Sequence, residues 1–166
     1  KIFDNIVKNV VVNLSKKNKI KIIQQTHKSN TDNLKNIYDE AEIENIIFDF
    51  EENLVDLISQ SDLCITRAGA STLAELSIMN KPFLTIPLVS AKDNHQFENA
   101  NFYQNLGCCW IMSQKDFNDV NLEKFLNHII MNKSEYNVKK NNLEKHNFQN
   151  SWNDINQKIL ETINEN

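Results

Sequence analysis

The sequence predicts an α/β fold, doubly wound around a parallel sheet. Three observations point there. The strand-like segments are short continuous apolar runs instead of alternating ones, helical patterns separate each from the next, and no linker rich in Gly, Pro or Ser divides the chain. A continuous apolar run suits a strand covered on both faces, and a parallel pair requires a crossover between its strands.

The elements follow in order. Ile2, Phe3, Ile6, Val7, Val10, Val11 and Leu14 recur at gaps of one and three, which lines them along one face of an opening helix ended by Lys16 to Lys19. IKIIQQ (20–25) is an Ile-rich strand feeding a polar loop, and a helix follows over 32–41. NIIFDF (45–50), a helix over 54–60, DLCIT (62–66), a helix over 72–79 and FLTIP (83–87) continue the alternation. A helix over 96–106, the strand CWIM (109–112) and a helical tail at 122–132, 135–146 and 152–163 complete it. In open α/β sheets ligands bind beyond the carboxyl ends of the strands, so the loops at 25–30, 50–53, 67–72 and 88–95 are where a site is sought.

Length and charge narrow the function. A chain of 166 residues supports one core over 1–166, whereas two independent domains would fall to roughly 80 residues each, where cores become marginal. The 18 basic and 22 acidic side chains give a net charge of −4, and the single arginine, Arg67, with dispersed lysines forms no positive stripe for a nucleic-acid backbone. No run approaches the roughly 18 apolar residues of a membrane span, and the opening lacks a signal-peptide pattern. Cys64, Cys108 and Cys109 form no CxxC pair and lie in apolar runs, so buried reduced thiols and a cytosolic compartment are expected. The chain opens at Lys1 without methionine inside a helical pattern, as a piece of a longer protein would.

TRAGASTLAEL (66–76) leaves a strand, passes one of only two glycines and enters a helix. Ala68, Gly69, Ala70 and Ser71 are small enough to admit a ligand to the backbone, and the first N–H groups of the helix suit an anionic oxygen such as a diphosphate's. Thr72 adds a hydroxyl. The spacing equally fits Thr72 as N-cap with Glu75, three residues on, completing a capping box. PLVSAKDNHQFENA (87–100) follows the next strand, where Asp93, Asn94, His95 and Gln96 offer hydrogen-bond groups suited to sugar hydroxyls. Asp93 and His95 lack a second cluster to complete a metal shell, and a solvated helix start is the blander reading. In the Phe48–Glu51 turn, Phe50 stands either against a flat base or, as aromatics at strand ends usually do, in the core.

Taken together, FEENLVDLISQSDLCITRAGASTLAELSIMNKPFLTIPL followed by KDNHQFENA resembles the C-terminal half of the MurG family of peptidoglycan glycosyltransferases, glycosyltransferase family 28. The resemblance runs from Lys1 to about Met112 and is strongest between Asp62 and Ala100. It implies a GT-B enzyme of two Rossmann-like domains facing a cleft, with this chain as the domain that binds UDP-N-acetylglucosamine (UDP-GlcNAc). Glu51 matches a residue that recognises uracil through its backbone, where an aliphatic side chain is usual. Ala70, Ser71, Thr72, Leu73, Ala74 and Glu75 match a helix start whose backbone and threonine hold the diphosphate and whose glutamate binds the ribose. Gln96 matches a glutamine that bonds the GlcNAc hydroxyls, with Phe50, Gly69 and His95 as lesser candidates. Asn80 stands where glycine often follows the helix, a left-handed cap that asparagine tolerates.

The implied activity is inverting transfer of GlcNAc to the undecaprenyl-pyrophosphoryl-MurNAc-pentapeptide, a step of cell-wall synthesis at the inner face of the membrane. The partners are UDP-GlcNAc and a lipid-linked acceptor, with no nucleic acid, and donor binding is expected to need no cofactor or metal. The family's Gly-rich loop, acceptor domain and general base would precede Lys1, so no catalytic residue is assigned here and this piece alone would transfer nothing. Alternatives are a GT-B transferase for another sugar or acceptor, and a non-catalytic donor-binding subunit of a split GlcNAc transferase. No nucleophile elbow surrounds Ser71.

Overall fold

The computed structural model describes residues 2–89 and 94–149, and the expected helix at 152–163 lies outside them. The described residues form two compact units, one within 1–61 and 112–133 and the other within 62–111 and 134–149. Every strand pairing is parallel, as the continuous apolar runs predict, and the pairings fall in two ladders.

The first unit contains α1 (Ile2–Ser15), β1 (Lys21–Gln25), α2 (Thr31–Glu40), β2 (Glu44–Phe48), α3 (Leu54–Ser59) and α6 (Asp119–Met131). The apolar stripe of α1 is its buried face: Val7, Val10, Val11 and Leu14 are in the core, where burial offsets the poor helix propensity of three valines. Strands β1 and β2 pair from Lys21 opposite Glu44 to Gln25 opposite Phe48. Beneath them a polar chain is satisfied internally. The Tyr38 hydroxyl donates to Gln24 Oε1 at 2.7 Å, and Gln24 Nε2 donates to Asp4 Oδ1 at 3.4 Å. Burial, with Asp4 nearby, pushes the Tyr38 phenol far above its usual range, so it stays a donor. A short 3-10 turn at Lys28–Asn30, absent from the sequence expectation, leads into α2.

The second unit contains β3 (Cys64–Thr66), α4 (Ala70–Ile78), β4 (Phe83–Thr85), α5 (His95–Asn105), β5 (Cys109–Ile111) and α7 (Lys133–Gln149). Its sheet runs β3-β4-β5, and central β4 is buried at all three positions, which explains why FLT carries no polar alternation. Helix α7 is polar yet tied down: Tyr136 donates its hydroxyl to the Asp62 carbonyl at 2.9 Å, Trp110 Nε1 donates to Glu135 at 2.6 Å, and Asn142 Nδ2 donates to the Gly107 carbonyl at 3.1 Å. Cys108 and Cys109 are buried free thiols, and burial pushes Cys109 up to about 12, so it stays protonated. Cys64 is only half-buried, against the expectation of three buried thiols, because the strand edge it occupies is not fully covered.

Helices α2, α4 and α5 end alike. Ile43 N–H bonds the Tyr38 carbonyl at 2.8 Å, Lys81 bonds Leu76 at 3.0 Å and Cys108 bonds Tyr103 at 2.9 Å, each following a residue with positive φ. Those residues are Glu42, Asn80 and Gly107, so the left-handed cap expected of Asn80 is present, with φ 54°.

Candidate functional site

The site is built where β3 and β4 end in the second unit. After β3 the chain passes Arg67 and the buried Ala68 and reaches Gly69, the N-cap of α4 at φ −69° and ψ 134°. The first helical bond joins Leu73 N–H to the Gly69 carbonyl at 3.0 Å, so the N–H groups of Ala70, Ser71 and Thr72 have no carbonyl of their own helix to meet. No side chain caps this end, and no acidic residue stands in its first turn. Each of the other six α-helices among the described residues carries one: Asp4, Asp32, Asp56, Glu98, Asp119 or Glu135. Helix α4 thus presents open donors and an unneutralised positive dipole end. Ala70 and Ser71 are exposed, and a methyl group built on Gly69 would lie 3.8 Å from Thr72 Oγ1, which puts that hydroxyl beside the open turn.

This geometry corrects the capping-box reading. A box would make Thr72 the N-cap and Glu75 the third helical residue, but the helix begins two residues earlier than expected, with Gly69 in the cap. Thr72 is therefore the third helical residue and Glu75 lies in the second turn, exposed. Leu73 is fully buried, main chain and side chain alike, while Ala74 is half-buried.

The loop after β4 approaches the same turn through α5. Gln96 Oε1 accepts from the Leu88 N–H at 3.0 Å, and Asn99, one turn on, donates Nδ2 to the Ala68 carbonyl at 3.0 Å. Gln96 and the open turn of α4 are thereby linked through α5. His95 opens that helix and is exposed; its N-cap, Asn94, adopts a left-handed φ of 56° without a side-chain cap, and Asp93 lies outside the described residues. Arg67 donates Nη1 to the Ile86 carbonyl at 3.0 Å, and burial lowers its pKa from the usual value. Among the described residues no three His, Cys, Asp or Glu side chains group to hold a metal ion.

Glu51 and Phe50 belong to the first unit. Strand β2 stops at Phe48, two residues sooner than expected, so Phe50 sits in the following turn and is 73% exposed, which overturns its reading as core. The turn is closed by its own side chains: Phe50 N–H donates to Asp49 Oδ1 at 2.9 Å and Asn53 N–H to Glu51 Oε1 at 3.0 Å. The Glu51 carboxylate is folded back onto this turn. Sequence reasoning missed Arg67 and Asn99 as residues of the site; the available signal was an amide side chain three positions after Gln96, on the same helical face.

A model of the glycosyltransferase family 28 C-terminal domain matches residues 1–159. The chain is 51% identical over 166 residues to a protein of Pelagibacter ubique (strain HTCC1062) named "UDP-N-acetylglucosamine--N-acetylmuramyl-(pentapeptide) pyrophosphoryl-undecaprenol N-acetylglucosamine transferase", covering 100% of this chain and 47% of that relative. A protein of the same name from Rickettsia bellii (strain RML369-C) is 37% identical over 128 residues, 76% of this chain and 36% of the relative. The chain therefore spans about half the length, or less, of the curated relatives it matches. The crystal structure of Acinetobacter baumannii MurG superposes with a TM-score of 0.74 at 22% identity, covering 86% of this chain and 41% of that one. That likeness establishes the fold, a Rossmann-like α/β arrangement with parallel sheets, as the sequence predicts.

Proposed function

Because the chain belongs to the glycosyltransferase family 28 C-terminal domain family, we propose that it is the donor-binding half of an inverting transferase that moves GlcNAc from UDP-GlcNAc to a lipid-linked MurNAc-pentapeptide. The observation that carries this reading is the start of α4, the one α-helix among those described with neither a side-chain cap nor a first-turn carboxylate. The amides of Ala70, Ser71 and Thr72, with the Thr72 hydroxyl, hold the diphosphate. Glu75 accepts from the ribose hydroxyls, and Gln96 bonds the sugar. The parts of Glu51 and Phe50, recognition of uracil by main chain and ring, rest on the family resemblance alone.

The chemistry follows from the leaving group. As the bond from sugar to phosphate breaks, negative charge grows on the β-phosphate while the anomeric carbon becomes cationic. Fixed amide dipoles aimed at those oxygens gain strength in step with the charge, which lowers the barrier without reorganisation. On this reading donor binding needs no metal, and the base that activates the acceptor hydroxyl comes from the other half of the enzyme. The lipid carrier brings the reaction to a membrane surface, and the family resemblance adds that this is the inner face and the association peripheral, in peptidoglycan synthesis and so in cell-wall biogenesis, cell shape and division. No helix of the described residues is long and apolar enough to cross a membrane.

Thermal unfolding with ligand tests the proposal. UDP-GlcNAc at about one hundred times its Kd is expected to raise Tm by about 5 °C or more, free GlcNAc by far less, and a chelator leaves the shift intact. Thr72→Ala and Glu75→Ala each shrink it. An unchanged Tm at millimolar UDP would overturn the donor site, and equal shifts with UDP-glucose would remove the sugar assignment.

A further inference from the structure

The start of α4 alone is too weak to balance its ligand. A helix end is worth about half a unit of positive charge, whereas a diphosphate bears about two negative ones. On the metal-free reading of donor binding, the remaining charge has to come from a side chain. Between residues 62 and 89 the charged side chains are Asp62, Arg67, Glu75 and Lys81. Asp62 and Lys81 precede β3 and β4 and so stand at the amino ends of those strands, which leaves Arg67 as the cation of this segment at the carboxyl ends, where the site is.

The main chain fixes its place. Ile86 N–H bonds the Thr66 carbonyl at 2.9 Å, which sets Ile86 level with the end of β3, and Arg67 Nη1 donates back to the Ile86 carbonyl at 3.0 Å. The guanidinium is thereby held on the same edge of the sheet as the start of α4, whose cap, Gly69, is two residues on and so within about 7 Å from Cα to Cα. Arg67 is half-buried, whereas the carboxylates of α4 and α5, Glu75 and Glu98, are exposed and screened by water. It is also the single arginine among 18 basic side chains. That choice has a physical reason. Burial lowers the pKa of Arg67 from its usual value, but that value is so high that the guanidinium stays charged, where a lysine would more readily lose its proton. A permanent cation partly withheld from water is costly, and this one stands beside a helix start with neither cap nor first-turn carboxylate.

We infer that Arg67 supplies the net charge of the diphosphate seat, a fixed cation beside the α4 amides that makes the site rank ligands by the negative charge they carry. The inference rests on the donor-site reading above. In transfer, the same cation attracts the departing diphosphate more strongly as a further negative charge develops there.

Calorimetric titration with UDP, UMP and uridine at low salt, on Arg67→Gln and Arg67→Lys, separates charge from anchoring: both variants keep a donor for the Ile86 carbonyl, and only lysine keeps a charge. Arg67→Gln is expected to lose about tenfold in UDP affinity, about 1.4 kcal/mol, less in UMP affinity, and to hold uridine within about twofold. Arg67→Lys keeps UDP within about threefold near neutral pH. Raising the salt narrows the gap between wild type and Arg67→Gln, because screening removes what the charge supplied. A merely structural role would lower Tm and weaken the three ligands alike. If Arg67→Gln does not fold, the wild-type protein decides. With a single arginine in the chain, an arginine-selective dicarbonyl marks this side chain alone, and UDP is expected to slow the reaction severalfold while uridine does not. Equal losses with glutamine and lysine, an undiminished ratio of UDP to uridine affinity in folded Arg67→Gln, or a modification rate indifferent to UDP would overturn the role of Arg67 alone. A wild-type protein that binds UDP no better than uridine would overturn the diphosphate seat and this role with it.

Discussion

Two helix starts, α4 and α6, solve the same problem in opposite ways. At α6 the cap is Asn118, in extended geometry at φ −144°, whose side-chain oxygen accepts the Asn121 N–H at 3.0 Å, and Asp119 adds a carboxylate in the first turn. At α4 the cap is Gly69, with no side-chain bond and no acidic neighbour. The first arrangement uses the chain's own groups to satisfy the orphan amides and balance the dipole. The second leaves both for something else. A helix start that omits inexpensive local stabilisation is informative when the omission falls at the carboxyl end of a parallel strand, where such folds bind ligands.

Making α4 resemble α6 is the largest test of that contrast. Gly69→Asp has room, because its nearest neighbour would be Thr72 Oγ1 at 3.8 Å, and φ of −69° suits any residue. The new carboxylate would cap the amides that the diphosphate is proposed to use and would repel it. At about 4 Å and an effective dielectric of about 20, two unit charges interact by about 4 kcal/mol. UDP affinity is therefore expected to fall at least about a hundredfold, or about 2.7 kcal/mol, while stability to urea holds or rises by a few tenths of a kcal/mol. Titration and denaturation of the same preparation separate the two effects. Undiminished UDP binding would show that this turn is not the anion seat.

The chain's other glycine sharpens the comparison. Gly107 has φ +69° at the end of α5, and a Cβ there would stand 2.6 Å from Asn142 Nδ2, the same amide that bonds the Gly107 carbonyl. Gly107→Ala is expected to cost about 2 kcal/mol in urea unfolding, from the left-handed backbone and the crowded amide, with the UDP affinity of the folded protein unchanged. One glycine is required by its conformation; the other, on the donor-site proposal, serves by the space it leaves. A Gly107→Ala protein of wild-type stability would remove that distinction.

The sequence carried the class and order of these elements because continuous apolar runs and helical stripes are local properties. What it concealed depended on partners distant in the chain. The split of five parallel strands into two ladders is a matter of which segments pair, and no run records that. The start of α4 was placed two residues late because Thr72 has the look of a cap, whereas a glycine cap adds no polar signal. The core alternative for Phe50 fails because NIIFDF looks like one strand up to residue 50, whereas pairing ends when Gln25 meets Phe48. Asn99 was invisible for a simpler reason: its partner is the main-chain carbonyl of Ala68, which any residue at that position would supply. The family motifs from Gly69 to Glu75 and at Gln96 were legible as a set, because their order relative to the strands is itself local.

The smallest effect is expected at α6, where the contrast is read from the other side. Asn118→Ala removes the bond to the Asn121 N–H and leaves the carboxylate of Asp119, so the dipole remains balanced while one donor loses its partner. The cap is exposed and water replaces part of what is lost, which limits the cost to about 1 kcal/mol, read as a lower urea midpoint at unchanged m. UDP affinity should not move, since nothing at α6 is proposed to touch the nucleotide. If Asn118→Ala instead weakened UDP binding as strongly as Gly69→Asp, loss of a helix cap anywhere in the chain would suffice to disturb the site. The open start of α4 would then owe its effect to general stability instead of to the amides it presents.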